Sequence, residues 1–477
     1  MRKAFALILA LLCAGSWAFG AGRTQQSTVP TLVWYSQAAS EGADLVEICR
    51  AASDYTQEKL GVRFEIRDLG GFDRMRMVVS SGEPFDLAWI GAYNYQEFVT
   101  LGAFADITDL LPVQSPVLWN FVPKLLWDGV KADGRIYAVP SYKDYSATLF
   151  GFLDDKYVKK YNLNTTVTLD DYMANLDRIF RTIKAGEGPQ FYPLYLGSGG
   201  QEARYLTADR YDDLGAGLSA FLGVRVDDSN RRVVSVMEQP KTMEAYRIVH
   251  KWYQDGIINP DAPQLEQLPR GVAFMWDQGW PARAATRAAS QGIERYAPIQ
   301  LTSPIVTTHT IRGSMVAVGA NSRYKNEALK FLELVNSETD YKIRDMVTYG
   351  IEGRHFQYVA PRVIHRLTDT YMPWDGAYGT YFNLSVPEDQ PPNVWDELRK
   401  QNAESKNSVL LGFGMDVSPV RTEIANILAV SQRYMADLGT GVADPDVTVP
   451  LLMADIRAAG FDRVAAEAQR QIDAFFK

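Results

Sequence analysis

Between Thr31 and Ile90 the apolar pattern switches period repeatedly, and that alternation restricts the fold more than any other feature of the chain. Thr31-Leu-Val-Trp-Tyr35 reads as a buried strand. From Ala43 to Leu60 the residues Leu45, Ile48, Cys49, Ala52 and Leu60 recur near helical spacing and give one apolar face. Val62, Phe64 and Ile66 then alternate with Arg63, Glu65 and Arg67, as a strand requires. A second helix over about 72–81 stops at Gly82, and Phe85-Asp-Leu-Ala-Trp-Ile90 makes a third strand. This order predicts an α/β fold with a parallel, doubly wound sheet whose ligands sit at the carboxyl ends of the strands. Those ends are Tyr35-Ser36-Gln37 and Trp89 to Asn94, both rich in rings and hydrogen-bonding groups.

Gly134-Arg-Ile-Tyr-Ala-Val-Pro-Ser-Tyr142 reads as a strand that leaves one lobe for another. Pro140 lacks an N–H and fixes φ near −65°, so the chain should bend there, and Tyr137, Tyr142 and Tyr145 would wall the junction. A proline in an edge strand beside ordinary core tyrosines fits the same residues. Beyond it, 154–161 and 168–185 are helical, with Thr168 and Asp171 resembling a capping box. Tyr192 to Arg204 is a loop around Gly197-Ser-Gly-Gly200, 243–255 a helix and Gly271 to Trp276 a strand, followed by a turn carrying Trp280. Met315-Val-Ala-Val318 is a strand, and Asn321 or Ser322 should cap a helix through Val335, returning the chain to the first lobe. Tyr349-Gly-Ile-Glu-Gly-Arg-His355 would be another crossing, and Pro419 to Lys477 is nearly all helix.

The amino terminus indicates export. Arg2 and Lys3 precede an apolar run, Ala4 to Ala14, which is shorter than the roughly 20 residues a bilayer span needs. It suits a secretory signal cut after Ala18-Phe19-Gly20. Cys13 invites a lipid anchor, but Leu12 stands where a small residue is expected. With the signal removed, Cys49 is the only cysteine, so no intramolecular disulfide can form, and its place on an apolar helix face makes it inert filling. The formal charge of −8 grows by two when Arg2 and Lys3 leave, and no Lys/Arg run exists, which argues against nucleic acid as a partner. Trp and Tyr, 10 and 25 against 21 Phe, favour rings with a polar handle, suited to large amphipathic binding surfaces.

Catalytic signatures are missing. The histidines at 250, 309, 355 and 365 have no metal-ligand spacing, and neither a GxSxG elbow nor a Walker loop occurs. Gly215-Ala-Gly217, read in a helical context, is a poor dinucleotide signal, and Ser322-Arg-Tyr-Lys325 is better explained as a helix start. No cofactor, metal or catalytic residue is assigned. Among 57 acidic residues a glycosidase pair stays open.

In this order of elements the chain resembles the extracellular solute-binding proteins of carbohydrate-type ABC importers, with maltose-binding architecture. The resemblance is carried by Ser81-Gly-Glu-Pro-Phe-Asp86, Tyr137-Ala-Val-Pro140 and Gly271-Val-Ala-Phe-Met-Trp276 with Gly279-Trp280. Tyr349 to His355 and Leu411 to Glu423 are similar to the LipO-like subgroup with a helical C-terminal extension. The resemblance implies a two-lobed periplasmic-binding-protein fold of type II with hinge crossings between the lobes. It divides the chain into a signal (1–20), a leader (21–30), lobe one (31–140 and 297–348) and lobe two (141–296 and 349–477, including the extension). It implies a monomer that takes a mono- or oligosaccharide in the cleft and delivers it to an inner-membrane permease. The candidate ligand residues are Tyr35, Trp89, Tyr93, Asn94, Tyr142, Trp276, Trp280, Glu352 and Trp374. A peptide-binding receptor of similar architecture and a secreted glycosidase are the alternatives.

Overall fold

The computed structural model describes residues 29–37, 43–146, 148–198 and 211–477. The expected signal with Cys13, the leader up to residue 28 and the second half of the 192–204 loop lie outside the described residues.

The chain opens as its periodicity demands, with β1 (Thr31–Ser36), α1 (Ala43–Leu60), β2 (Arg63–Asp68), α2 (Phe72–Ser81), β3 (Leu87–Ile90) and α3 (Ala92–Thr100). Helix α2 ends because Gly82 takes φ 70°, which lets its N–H close on the Val78 and Val79 carbonyls. Strand β4 (Ala138–Pro140) leads out of this sheet. Beyond the crossing, β5 (Leu149–Asp154) lies at the centre of a second, antiparallel sheet between β6 (Phe274–Gln278) and β7 (Tyr296–Gln300). All six β5 residues are buried, and a Cβ at Gly151 would stand 2.5 Å from the Phe274 ring, so glycine is what allows these strands to approach. Strand β8 (Met315–Val318) then returns to the first sheet.

The first sheet has the order β2-β1-β3-β8-β4. Its first three strands are parallel, as expected, but β8 runs antiparallel to both neighbours. The physical reason is direction of entry: a strand coming back from the second lobe reaches the sheet at its carboxyl edge. Pro140 is the last residue of β4, which borders β8 alone, so its missing N–H costs no ladder bond on the open side. Asp86 secures the arrangement, accepting from the Val33 N–H at 2.8 Å and from the Ser322 hydroxyl at 2.6 Å.

Helices α4 (Tyr172–Glu187), α5 (Pro240–Gln254) and α6 (Arg283–Gln291) belong to the second sheet's surroundings, and α7 (Lys325–Val335) and α8 (Lys342–Tyr349) to the first. Helix α9 (Val394–Glu404) precedes three C-terminal helices, α10 (Arg421–Thr440), α11 (Pro445–Ala458) and α12 (Phe461–Phe475). Among the described residues two large apolar cores result, with three smaller clusters beside them. One unites β1–β3, α1, the 104–145 stretch and 306–347 with Tyr371, Ala377 and Tyr378. The other unites Leu149, Leu153, the 157–276 stretch, Ile299 and Leu301 with Leu410 to Ile472.

Local expectations differ at three places. Thr168 makes no capping bond; a short 3₁₀ turn at Leu169–Asp171 precedes α4 instead. Gly215 and Gly217 lie in turns with φ of 69° and 72°, conformations a helix does not offer. Ser322 accepts from the Tyr324 N–H just ahead of α7, whose N-cap position is Tyr324 itself. Among the described residues no helix is long and apolar enough to cross a membrane.

Cys49 is buried in the first core, and burial raises its thiol to about 11. The native protein at about pH 8 is therefore expected to leave Cys49 unmodified by an aromatic disulfide reagent, with rapid modification in denaturant. Mass mapping of labelled peptides checks this.

Candidate functional site

The carboxyl ends of β1 and β3, the crossing after β4 and the stretch before β8 all face the junction of the lobes. The wall there is built around Trp89, whose indole N–H donates to Ser314 Oγ at 2.9 Å. Its ring meets Trp374 edge-on, with centroids 5.6 Å apart, and Trp374 keeps 39% of its surface exposed. Lys143, on the crossing, places Nζ 6.0 Å from the Trp374 ring and pairs with Asp144 at 2.5 Å. From the second lobe, Gln278 Nε2 donates to the Asp144 carbonyl at 3.0 Å. Arg283 stands 4.0 Å from Asp375, which accepts from the Tyr381 hydroxyl at 3.0 Å. A half-exposed indole beside paired cations and carboxylates presents an apolar plate with donors and acceptors at its margin.

The supports lie underneath. Arg344, wholly buried on α8, donates to the carbonyls of Asp375 at 2.6 Å and Thr380 at 3.1 Å, and so fixes the turn that carries Trp374. Burial lowers its pKa from the ordinary guanidinium value, opposed by the nearby Asp375 charge. Helix α9 braces the other side. Asn402 donates to the Lys143 carbonyl at 2.7 Å, Gln401 to the Gly279 carbonyl at 2.9 Å, and Glu397 accepts from the Ala282 N–H at 2.8 Å.

Four residues beyond Trp89, Tyr93 is 53% exposed and lies edge-on to His309 at 4.5 Å, while His309 Nδ1 stands 3.3 Å from Asp213 of the second lobe. Burial works against the charge of Asp213, but His309 holds its carboxyl below the usual range. A cavity of about 410 Å³ opens beside them between the lobes, lined among others by Arg76, Tyr93, Glu97, Arg312, Asp416 and Arg421. Arg76 holds Glu97 through bonds of 3.1 and 3.0 Å, and Arg421 reaches toward the same carboxylate at 4.0 Å.

The expected ligand residues divide into three groups. Trp374 and Tyr93 stand exposed along this wall, Trp89 is buried beneath Trp374, and Asn94 is buried at the start of α3 behind Tyr93. Tyr142 and Trp280 are packed just behind it: Tyr142 against Phe382 at 4.4 Å and Phe121 at 5.4 Å, Trp280 fully buried against Tyr381 and Trp395. Tyr35, Trp276 and Glu352 are placed elsewhere. Tyr35 is buried with its hydroxyl on Glu83, in a separate pocket lined by first-lobe residues. Trp276 lies against Phe274 in the second core, and Glu352 is exposed on a turn. Sequence reasoning missed Lys143, Asp144, Gln278, Arg283, His309, Asp213 and Asp375. Of these, Lys143, Gln278 and Asp375 stood one residue from Tyr142, Gly279 and Trp374, and that adjacency was the signal that could have found them.

Two lobes with separate cores, joined by crossings and meeting at an aromatic, charge-paired wall, define a two-lobed, type II solute-binding protein. Residues 50–351 match the family of bacterial extracellular solute-binding proteins, and the chain belongs to that family. Residues 409–477 match a domain of unknown function, DUF3502. A carbohydrate ABC transporter substrate-binding protein of Streptococcus pneumoniae is 25% identical over 490 residues, covering 99% of this chain and 96% of its own. The N-glycan transport solute binding protein NgtS from the same species superposes with a TM-score of 0.80 at 22% identity, over 94% of this chain and 99% of that one. Its complex with Man1GlcNAc gives 0.75 over the same shares. The sugar-binding protein MalE of Xanthomonas citri gives 0.57 at 15% identity, over 92% and 99%. The fold is thus the expected one. As a member of this family the protein is an exported binding component and no catalyst, which removes the glycosidase left open by the sequence.

Asp212, beside the His309 partner, is enclosed, and burial together with the Asp213 charge pushes its carboxyl up to about 6 from 3.8. The folded state therefore holds this proton longer than the unfolded chain, so the stability it contributes is present below about pH 4 and is lost as pH rises through about 6. Asp212→Asn cannot ionise and retains an acceptor for the Leu214 N–H. In urea melts it is expected to exceed the wild type at high pH, on the order of 2 kcal/mol, with the difference vanishing near the unfolded pKa.

Proposed function

We propose that this protein is the extracytoplasmic carbohydrate receptor of an ABC importer, taking a sugar between its lobes and handing it to an inner-membrane permease. The observation that supports this best is the exposed face of Trp374, set edge-on to Trp89 and ringed by Lys143, Asp144, Arg283 and Asp375. An indole covers the C–H face of a pyranose, while charged and amide groups bond its hydroxyls. The named specificities of the relatives, N-glycan transport and sugar binding, point the same way.

In this reading Tyr93 and Trp374 meet the ligand, Trp89, Tyr142 and Trp280 support the wall from behind, and Asn94 orients Glu97. Tyr35, Trp276 and Glu352 take no part. The lobe division that fits the two cores keeps 31–140 as the first part of lobe one. It begins the return after Leu301 and extends it to Tyr378. Rotation about the crossings closes the cleft, and ligand favours the closed form because only that form contacts it from both lobes. The protein acts as a monomer after cleavage following Gly20, without acylation at Cys13.

Micromolar capture corresponds to about −8 kcal/mol. A thermal-shift screen against neutral oligosaccharides is expected to yield at least one that raises the melting temperature and quenches or shifts tryptophan emission. Trp374→Ala should weaken that ligand about tenfold, near 1.4 kcal/mol, with little change in unliganded stability. Peptides that stabilise the protein where no sugar does would replace the carbohydrate reading with the peptide-receptor alternative.

A further inference from the structure

We infer that Arg283 is the specificity-determining residue of the cleft, and that it reads two adjacent hydroxyls of an uncharged pyranose. The inference rests on the carbohydrate reading and adds to it the class of sugar taken.

Three enclosed arginines surround the junction, and two of them use their donors on the protein. Arg344 bonds Thr380, Asp375 and Thr348, and Arg312 bonds the carbonyls of Gly129 at 2.9 Å and Lys131 at 2.7 Å. Arg283 differs. Its side chain is only 18% exposed, yet its closest polar partner is Asp375 Oδ2 at 4.0 Å, beyond hydrogen-bond length. Its guanidinium lies over the Trp280 ring at 5.4 Å, which holds the plane without using an N–H. Among the described residues no acceptor lies within hydrogen-bond length of Arg283, so its donors are held over Trp280 and stay open to whatever enters the cleft.

The surroundings state what that something is. Lys143 is matched by Asp144 and Arg283 by Asp375, so these four side chains carry no net charge among themselves. A hydroxyl both donates and accepts, and suits a mixture of Arg283, Lys143 and Gln278 donors with Asp144 and Asp375 acceptors. A carboxylate could use only the donors. It would also lie against the like charges of Asp144 and Asp375 in a partly dry cleft, where Lys143 and Arg283 already have acidic partners. The planar fork of a guanidinium spans two neighbouring oxygens, which a lysine ammonium does not, and the half-exposed Trp374 alongside supplies the apolar plate for the same ring.

The test uses isothermal titration of the full mature chain with maltotriose, mannotriose, cellotriose and trigalacturonic acid, followed by the deoxy analogues of whichever neutral sugar binds. Arg283→Ala and Arg283→Lys should each lose tenfold or more in affinity for the neutral sugar while melting close to the wild-type temperature without ligand, because Arg283 lends the fold only its contact with Trp280 and a long pair with Asp375. Removing one of the two hydroxyls should weaken the wild type similarly and Arg283→Ala hardly further. Unchanged affinity in both variants, or a wild type that prefers the uronide, overturns the inference and leaves the carbohydrate reading standing. Failure of the wild type to bind any of the sugars overturns that reading itself. Should Arg283→Ala melt early, Arg283→Lys at the wild-type melting temperature decides.

Discussion

One buried hydroxyl joins the parts of this molecule that its fold must hold together. Ser314 Oγ accepts from the Trp89 indole at 2.9 Å, lies 3.2 Å from Ser141 Oγ, and donates to the Gly376 carbonyl at 2.6 Å. Its own carbonyl accepts the Ser141 N–H at 3.0 Å. A serine has one donor and two lone pairs, and here all three are used. Ser314 stands in the return before β8, and its partners come from β3, from the exit after β4 and from the turn that carries Trp374. Sheltered from water, each of these bonds is stronger than it would be at the surface, and each costs more to leave unmade. The spacing of the two tryptophans therefore follows from the crossings, because the same atom positions both.

The opposite side of the site is held by a different element. Helix α9 reaches the crossing through Asn402 and the Gly279–Ala282 turn through Gln401 and Glu397. Lys143 and Asp144 are thereby placed relative to Gln278 and Arg283 by a helix distant from all of them in sequence. Tyr142, Trp280, Phe382 and Leu398 fill the space between these braces with apolar contact. The aromatic plate is thus fixed from the first lobe and much of its charged margin from α9.

The opening elements were legible because each buries one face, and burial writes a period into the sequence: α2 and β8 fall at the predicted residues. The C-terminal helices were legible for the same reason. The antiparallel insertion of β8 was not, since a strand's direction is set by where the chain returns from and leaves no mark on its composition. Aromatic richness pointed to the right kind of surface but could not separate plates from supports. Trp374 and Trp280 look alike in sequence, yet one keeps 39% of its surface exposed and the other 1%. Lys143, Asp144, Arg283 and Asp375 were invisible for the opposite reason. Charged residues are common on any surface, and only tertiary contacts that no spacing encodes bring Lys143 and Asp144 together with Arg283 and Asp375.

The C-terminal helices are part of the second lobe's interior. Ile427, Leu438, Val449, Leu452, Ile456, Val464, Ala468 and Ile472 belong to the same core as β5, α4 and α5, so removing residues 409–477 would expose an apolar face that the rest of the lobe has no means to cover. The segment also reaches the cleft. Met415, Asp416 and Ser418 line the cavity between the lobes, and Arg421, at the first turn of α10, faces Glu97 of α3 across it. A pair at 4.0 Å whose arginine is largely exposed contributes little energy. Its value is positional: the cavity's width is set by how α10 packs on α5 and α11, and that packing is rigid because the core beneath it is dense. Segment 409–477 thus ties the shape of the cleft to the integrity of the lobe.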